Sequence, residues 1–253
     1  MIYSHAIGRG SHDAIIYKGT FQNRAVAVKK LPRTFATLAA REIKILQEVD
    51  DHPNVIRYYY QEQDANFVYI ALDLYSSSLA DIIERPAEHQ DILTAFDPKK
   101  ALRQVTLGLH HLHALEIIHR DIQPRNILIS RAKKDIPYRM MISDFTSSSK
   151  LGSLDEDINS DALGSTKAMD IFALGNLYFY LLTNGAHPFG EILGKESNSV
   201  ENESLLERQG EEGREALDLI ANMRRLEAAQ RYVPLFARFF GSSKAYLLIM
   251  FAI

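Results

Sequence analysis

The chain has 253 residues, 46% hydrophobic and 24% charged, with a formal net charge of -3. That balance permits a sizeable buried core and lacks the basic footprint of sequence-independent nucleic-acid binding, so no nucleic-acid partner is expected. The absence of cysteine excludes disulfides, thiolate-bound zinc and cysteine nucleophiles, and leaves any metal to oxygen or imidazole ligands.

In chain order, residues 1–13 have neither the basic start nor the long apolar stretch of a signal peptide, and secretion is not expected. Ala25-Val26-Ala27-Val28 and residues 67–72 are short β-type runs separated by turn residues such as His52-Pro53-Asn54. One helix is predicted between them, with Ala39, Ile43, Leu46 and Val49 as its apolar stripe and Arg41, Glu42 and Lys44 on other faces. After the serine run at 76–78 the period changes. Leu102, Val105, Leu109 and Leu112 recur at helical spacing behind Asp97-Pro98, an N-cap and first-turn pair. Ile171, Leu174, Tyr178 and Leu181 form a second helical stripe ending at Asn184-Gly185, and Leu217, Ile220 and Ala221 begin a third. The Glu-rich stretch at 196–215 reads as a solvated loop and helix face. The longest apolar run, 246–253, is far shorter than the roughly 20 residues needed to cross a bilayer, so no membrane segment is expected. A small antiparallel sheet with one helix, followed by helical bulk, predicts an α+β chain of two lobes, 1–75 and 76–253.

The strongest chemical signal is His119-Arg120-Asp121-Ile122-Gln123-Pro124-Arg125-Asn126, which matches the catalytic loop of protein kinases in its start and in its Asp-to-Asn spacing. Phosphoryl transfer needs a carboxylate to accept a hydroxyl proton and an amide oxygen on magnesium, both leaving one tight loop, and Asp121 and Asn126 fit those roles. Met140-Met141-Ile142-Ser143-Asp144-Phe145 is an apolar strand ending in an acid, and makes Asp144 a second magnesium ligand. An Asp-Phe pair alone is more often structural; its place after the catalytic loop gives it meaning. Upstream, Val26-Ala27-Val28-Lys29 puts a lysine at the end of an alternating strand, with Glu42 on the next helix as its partner. Lys29 in isolation would read as a surface lysine beside Lys30. Gly8-Arg9-Gly10-Ser11-His12-Asp13 stands where a phosphate-covering loop belongs, with Asp13 at the third glycine position bringing negative charge toward the phosphates.

Over nearly its whole length the chain resembles the kinase domain of the inositol-requiring sensor kinase/endoribonuclease family of the unfolded-protein response. The likeness is carried by Asn23-Arg24-Ala25-Val26-Ala27-Val28-Lys29-Lys30, His52-Pro53-Asn54-Val55-Ile56-Arg57-Tyr58, Ile127-Leu128-Ile129-Ser130, Met169-Asp170-Ile171-Phe172-Ala173-Leu174-Gly175 and His187-Pro188-Phe189-Gly190. The resemblance implies the bilobal kinase fold and the use of ATP and Mg2+. It also implies a protein hydroxyl substrate, the chain itself among the possibilities, and a homodimer. Leu72 would be the gatekeeper, Asp73 to Tyr75 the hinge that receives adenine, and Ile7, Ala27 and Leu128 the walls around the base, an apolar setting typical of such pockets. For a full-length relative it implies the cytosolic face of the endoplasmic reticulum membrane.

Three departures bear on turnover. Gln123 replaces the lysine usual in serine/threonine kinases and removes a cation near the transferred phosphate. Thr146 replaces the glycine after Asp-Phe, restricting the backbone and putting the position of Asp144 at issue. The segment between Asp144 and Asp170 is short and lacks Ala-Pro-Glu, so Arg231, candidate partner of that missing glutamate, is expected to stand unpaired. Arg238-Phe239-Phe240 resembles the end of the family's kinase domain, so no ribonuclease module and no ribonuclease activity are expected of this chain. Ser147, Ser148, Ser149, Ser153, Ser160, Ser165 and Thr166 are candidate phosphoacceptors. The leading expectation is an autophosphorylating serine/threonine kinase. The alternatives are a pseudokinase that binds nucleotide as a dimerisation or regulatory module, and a fragment of a longer gene product.

Overall fold

Alternation of side chains carries the first part of the chain into five antiparallel strands: β1 (Ile2–Arg9), β2 (Ile15–Phe21), β3 (Arg24–Pro32), β4 (Tyr58–Gln63) and β5 (Phe67–Asp73), in sheet order β1-β2-β3-β5-β4. The architecture is that of a computed structural model that describes residues 1–49, 52–131, 138–151, 167–186, 204 and 206–225. Gln22 and Asn23, both at positive φ (47° and 60°), close the β2–β3 hairpin in two residues, the twist that such short loops require. Strand β3 is the spine, paired with β2 on one side and β5 on the other.

Period two decides what β3 presents to each face. Val26 and Val28 pack outward with Tyr69 and Ala71 under Tyr3, Tyr17, Phe21, Tyr59 and Phe67. Leu31 turns inward to the main core, and Lys29 shares that face. The two adjacent lysines therefore part company. Lys29 is 3% exposed, whereas Lys30 rests its ammonium over outer-face rings, 4.0 Å from Phe67 and 5.7 Å from Tyr69.

Helix α1 (Ala36–Glu48) lies between β3 and β4 and buries Ala39, Glu42, Ile43 and Leu46. Glu42 thus belongs to the buried stripe and not to another face. Positions 39, 42 and 46 follow the same three-and-four spacing as the apolar set, and Lys29 opposite makes a charge tolerable there.

The second lobe contains α2 (Leu79–Glu84), α3 (Gln90–Leu93), α4 (Pro98–Ala114), α5 (Lys167–Leu182) and α6 (Glu211–Met223). Its short strands are β6 (Ser77–Ser78), β7 (Ile117–Ile118), β8 (Ile127–Arg131), β9 (Tyr138–Ile142) and β10 (Ser149–Lys150). The serine run is more than a break in period: β6 pairs with β8, and Ser78 caps α2 in a reciprocal capping box with Asp81. Asp97 caps α4 as its sequence predicts, accepting the Lys100 N–H at 3.1 Å, and the four apolar positions of that helix are all buried. Helix α5 ends at Asn184 (φ 56°) and Gly185 (φ 101°), with Gly185 N–H donating to the Tyr180 carbonyl at 2.7 Å. Helix α6 differs from its prediction. It starts at Glu211 and buries Gly213, Ala216, Leu219, Ile220 and Met223, leaving Leu217 half-buried and Ala221 exposed.

Apolar residues of both lobes join in one core. The chain around Asn54 stitches them together: Ile142 N–H donates to the Asn54 carbonyl at 3.0 Å, Ile56 N–H to the Ile142 carbonyl at 2.9 Å, and Asn54 Nδ2 to the Met140 carbonyl at 2.9 Å. Gly108 on α4 permits that crossing, because a Cβ there would stand 2.5 Å from the Asn54 carbonyl oxygen. Among the described residues no helix is long and apolar enough to cross a membrane.

Beside the crossing, His52 stacks on His111 of α4, ring centroids 4.6 Å apart. Burial, with His111 and His110 opposing another positive charge, holds the His52 imidazole down at about 4. The unfolded chain binds this proton at the ordinary value of 6.5, so between these values unfolding takes up protons and stability falls as pH falls. Urea unfolding is expected to show lower stability at pH 5 than at pH 7.5, and His52→Gln is expected to narrow that difference.

Candidate active site

The catalytic-loop octet sits between β7 and β8, pinned from beneath by Asp170. That carboxylate is 0% exposed. It accepts the His119 N–H at 2.8 Å, the Arg120 N–H at 2.8 Å and a contact from His113 Nε2 at 2.9 Å. Two consecutive backbone donors on one carboxylate hold Arg120 in the left-handed region (φ 67°), a conformation that needs such support from its surroundings. His119 is fully buried, with its ring 3.1 Å from the Ser143 carbonyl and edge-on to Phe145 at 5.0 Å. Burial pushes its pKa down against the pull of Asp170 and nearby acceptors.

Above this base, both carboxylate oxygens of Asp121 are engaged. Gln123 Nε2 donates to Oδ1. Asn126 Nδ2 donates to Oδ2 at 2.7 Å and to the Asp121 carbonyl at 2.9 Å. The Asn126 amide nitrogen is thereby committed to Asp121, which leaves the amide oxygen as its possible cation ligand. Gln123 reproduces a hydrogen bond to the carboxylate but brings no positive charge.

Across the cleft, Lys29 Nζ donates to Glu42 Oε1 at 2.9 Å and Oε2 at 2.8 Å, and lies 3.4 Å from Asp144 Oδ1. Burial pulls the Lys29 pKa down; the Glu42 and Asp144 carboxylates reverse this and hold it above the ordinary lysine value. Burial would likewise raise the Asp144 pKa, yet the Lys29 ammonium and hydrogen bonds from Thr146, Ser11 and Lys29 outweigh it and hold it at about 2. Asp144 has φ 64°. Thr146 does not push it out of the cleft: the threonine hydroxyl donates to Asp144 Oδ1 at 2.6 Å.

Of the residues expected around a nucleotide, Gly8 lies beside Tyr75 and Gly10 beside Lys29. Ala27 of β3 lies opposite Leu72 of β5, and both are buried. Leu128 of β8 is 8% exposed and lies opposite Met141. Gly8 approaches the Tyr75 hydroxyl and Gly10 approaches Lys29: a Cβ on each would stand 3.2 Å from Tyr75 Oη and 3.8 Å from Lys29 Cε respectively. Ile7 precedes them on β1, half-buried. Tyr75 has its phenol pushed up to about 12 by burial, with Asp81 adding to it. Asp73 is already occupied. Its N–H donates to the Arg57 carbonyl at 2.9 Å, and its carboxylate accepts from Tyr59 at 2.6 Å and Arg139 at 2.8 Å. Asp13, at the third glycine position, is exposed with φ 58°, a left-handed conformation that Asp tolerates better than most residues.

The sequence model of the protein kinase domain matches residues 2–235. The chain belongs to the protein kinase family. It is 35% identical over 277 residues to a sensor for unfolded proteins in the ER from Schizosaccharomyces pombe, a match that covers 91% of this chain and 25% of that protein. Similar likenesses connect it to serine/threonine-protein kinase/endoribonucleases of Caenorhabditis elegans (36% over 248 residues, 90% of this chain, 25% of the relative) and Homo sapiens (36% over 239 residues, 86% and 26%). The kinase chain spans about a quarter of the length of these relatives.

Sequence reasoning gave no role to Asp170, Ser11 or the Thr146 hydroxyl. A lone acid leading the apolar run Ile171, Leu174, Tyr178 was the available signal for Asp170. The Ser11–Asp144 pairing spans more than a hundred residues of chain and leaves none, and the Thr146 hydroxyl bonds Asp144 only two residues away, which the Asp-Phe-Thr order does not announce. Among the candidate phosphoacceptors, Ser147 is exposed, while Ser148 and Ser149 are buried and the Ser148 hydroxyl donates to the His119 carbonyl at 3.1 Å. Ser153, Ser160, Ser165, Thr166, the segment His187-Pro188-Phe189-Gly190, Arg231, Arg238-Phe239-Phe240 and residues 246–253 lie outside the described residues, as does part of the Glu-rich stretch.

Asp170→Ala leaves the two catalytic-loop N–H groups buried without an acceptor, and is expected to lower unfolding free energy in urea by about 2–4 kcal/mol. Asp170→Asn, which keeps one acceptor oxygen, is expected to lose less.

Proposed function

We propose that this chain is an ATP- and magnesium-dependent serine/threonine protein kinase domain of the unfolded-protein sensor type, with its own hydroxyls as first substrate. The division into lobes at residues 75 and 76 makes Asp73 to Tyr75 the hinge beside adenine. The observation that carries the reading is the buried Lys29–Glu42 pair reaching within 3.4 Å of Asp144.

The oxygen donors present, the Asp144 carboxylate and the Asn126 amide, suit a hard cation that takes oxygen ligands. Asp144 and Asn126 would hold a magnesium ion there, which would supply positive charge against the phosphates. Lys29, fixed in direction by Glu42, would orient the α and β phosphates, with Leu72, Ala27, Ile7 and Leu128 around the base and Gly8 and Gly10 above the phosphates. Asp121 would accept the proton of the attacking hydroxyl, its carboxylate aimed by Gln123 and Asn126. The lost cation at Gln123 is expected to slow transfer, since most of this catalysis is positioning and charge stabilisation. For a full-length protein, homodimerisation and a place on the cytosolic face of the endoplasmic reticulum membrane are part of the same proposal.

Incubation with labelled ATP and magnesium is expected to label the parent chain, and Asp121→Asn to label at least about a hundredfold more slowly, the scale of a lost general base. Absence of label on a folded, ATP-binding parent would replace the enzyme by a nucleotide-binding module without transfer.

A further inference from the structure

The glycine loop is folded down onto the residue proposed to hold the metal. Ser11 Oγ donates toward Asp144, 2.8 Å from Oδ2 and 3.1 Å from Oδ1. Thr146 Oγ1 donates to Oδ1 at 2.6 Å and stands 3.4 Å from Ser11 Oγ. The same hydroxyl lies 3.4 Å from Glu42 Oε2 and 3.4 Å from Lys29 Nζ. Each hydroxyl has a single proton to give, and the two together occupy both oxygens of a carboxylate that Lys29 also faces. A magnesium ion needs one of those oxygens at about 2.0–2.1 Å with near-octahedral geometry. A donor already at hydrogen-bond distance therefore competes with it.

We propose that Ser11 is a latch: in the nucleotide-free protein its hydroxyl holds the glycine loop closed on Asp144, braced by Thr146, so that metal and nucleotide enter only when the loop lifts. The inference rests on the nucleotide-binding reading above. Both ends of the latch are local and polar. Ser11 lies in a turn closed by Gly10 N–H to the Ala14 carbonyl at 2.9 Å and Ala14 N–H to the Ser11 carbonyl at 3.2 Å, so the turn can lift as a unit without breaking β1 or β2. Thr146 is in the short 3-10 turn Phe145–Ser147, where the family pattern has a glycine and hence no hydroxyl. The brace is a consequence of this chain's own substitution.

Two measurements on the whole chain test it, each on the parent, Ser11→Ala and the hydroxyl-keeping Ser11→Thr. The first is amide hydrogen exchange of residues 8–14 without nucleotide. The second is equilibrium binding of ATP with magnesium and of ATP with EDTA. Ser11→Ala is expected to exchange faster through the loop and to bind ATP with magnesium about tenfold tighter, the factor for one charge-assisted hydrogen bond removed from the competing state. With EDTA the gain is expected to be smaller, and Ser11→Thr is expected to behave like the parent. Unchanged or weaker magnesium-ATP binding by Ser11→Ala, in a parent that binds it, overturns the latch whatever the exchange shows. If no variant binds ATP, the nucleotide reading fails separately. The exchange experiment then decides the latch: faster exchange in Ser11→Ala upholds the loop contact and unchanged exchange removes it.

Discussion

A buried ion pair is the interaction on which the rest depends. Lys29 and Glu42 are 3% and 2% exposed, and removing two charges from water costs about as much as their mutual attraction returns. Such a pair is poor evidence of stabilisation. It is good evidence of constraint, because it fixes the register of β3, which decides that Lys29 and not Lys30 turns inward, and the rotation of α1, which brings Glu42 onto its buried stripe. It also sets the depth of Asp144, whose carboxylate remains charged despite burial because the ammonium is there to face it.

A second constraint runs under the cleft. Asp170 joins α5 to the catalytic loop through two backbone N–H groups, while the Asn54 crossing joins the strand lobe to β9. Between them they hold the lysine and acid sides of the site at a fixed separation. The left-handed backbone at Arg120 and Asp144 is local strain of the kind that gathers at functional sites. The departures from the family pattern act within this frame without dismantling it. Gln123 keeps a hydrogen bond to Asp121 and drops a charge; Thr146 adds a hydroxyl next to Asp144 and leaves the acid facing Lys29.

Much of this was legible in the chain. Period two in Ala25-Val26-Ala27-Val28 and the stripes of α1, α4 and α5 lead directly to the elements, and the octet at 119–126 identifies the loop because few chemistries require that spacing. Glu42 was legible as a partner of Lys29 but not as a buried residue, since a charge on an apolar stripe reads as a solvated face until its counter-ion is located. The start of α6 was missed because Glu211 and Glu212 are polar first-turn residues inside a Glu-rich stretch, and because Gly213 buries a helix face without a side chain to announce it. Ser11 and Asp170 act through contacts distant in sequence, which no local period encodes, and Thr146 acts on Asp144 through a turn that places their side chains together.

On the proposed function, the Lys29–Glu42 pair orients the site for a nucleotide and adds no net stability to the fold. The most direct measurement is ATP binding, with magnesium, to the double variant Lys29→Met/Glu42→Leu, alongside its urea unfolding. That variant removes both charges and so leaves neither buried alone. The expected result is a protein that still unfolds cooperatively, its stability lowered by no more than the loss of the ammonium facing Asp144, with ATP affinity reduced at least about tenfold, as expected when a charged contact is lost. Parental affinity in that variant would contradict it.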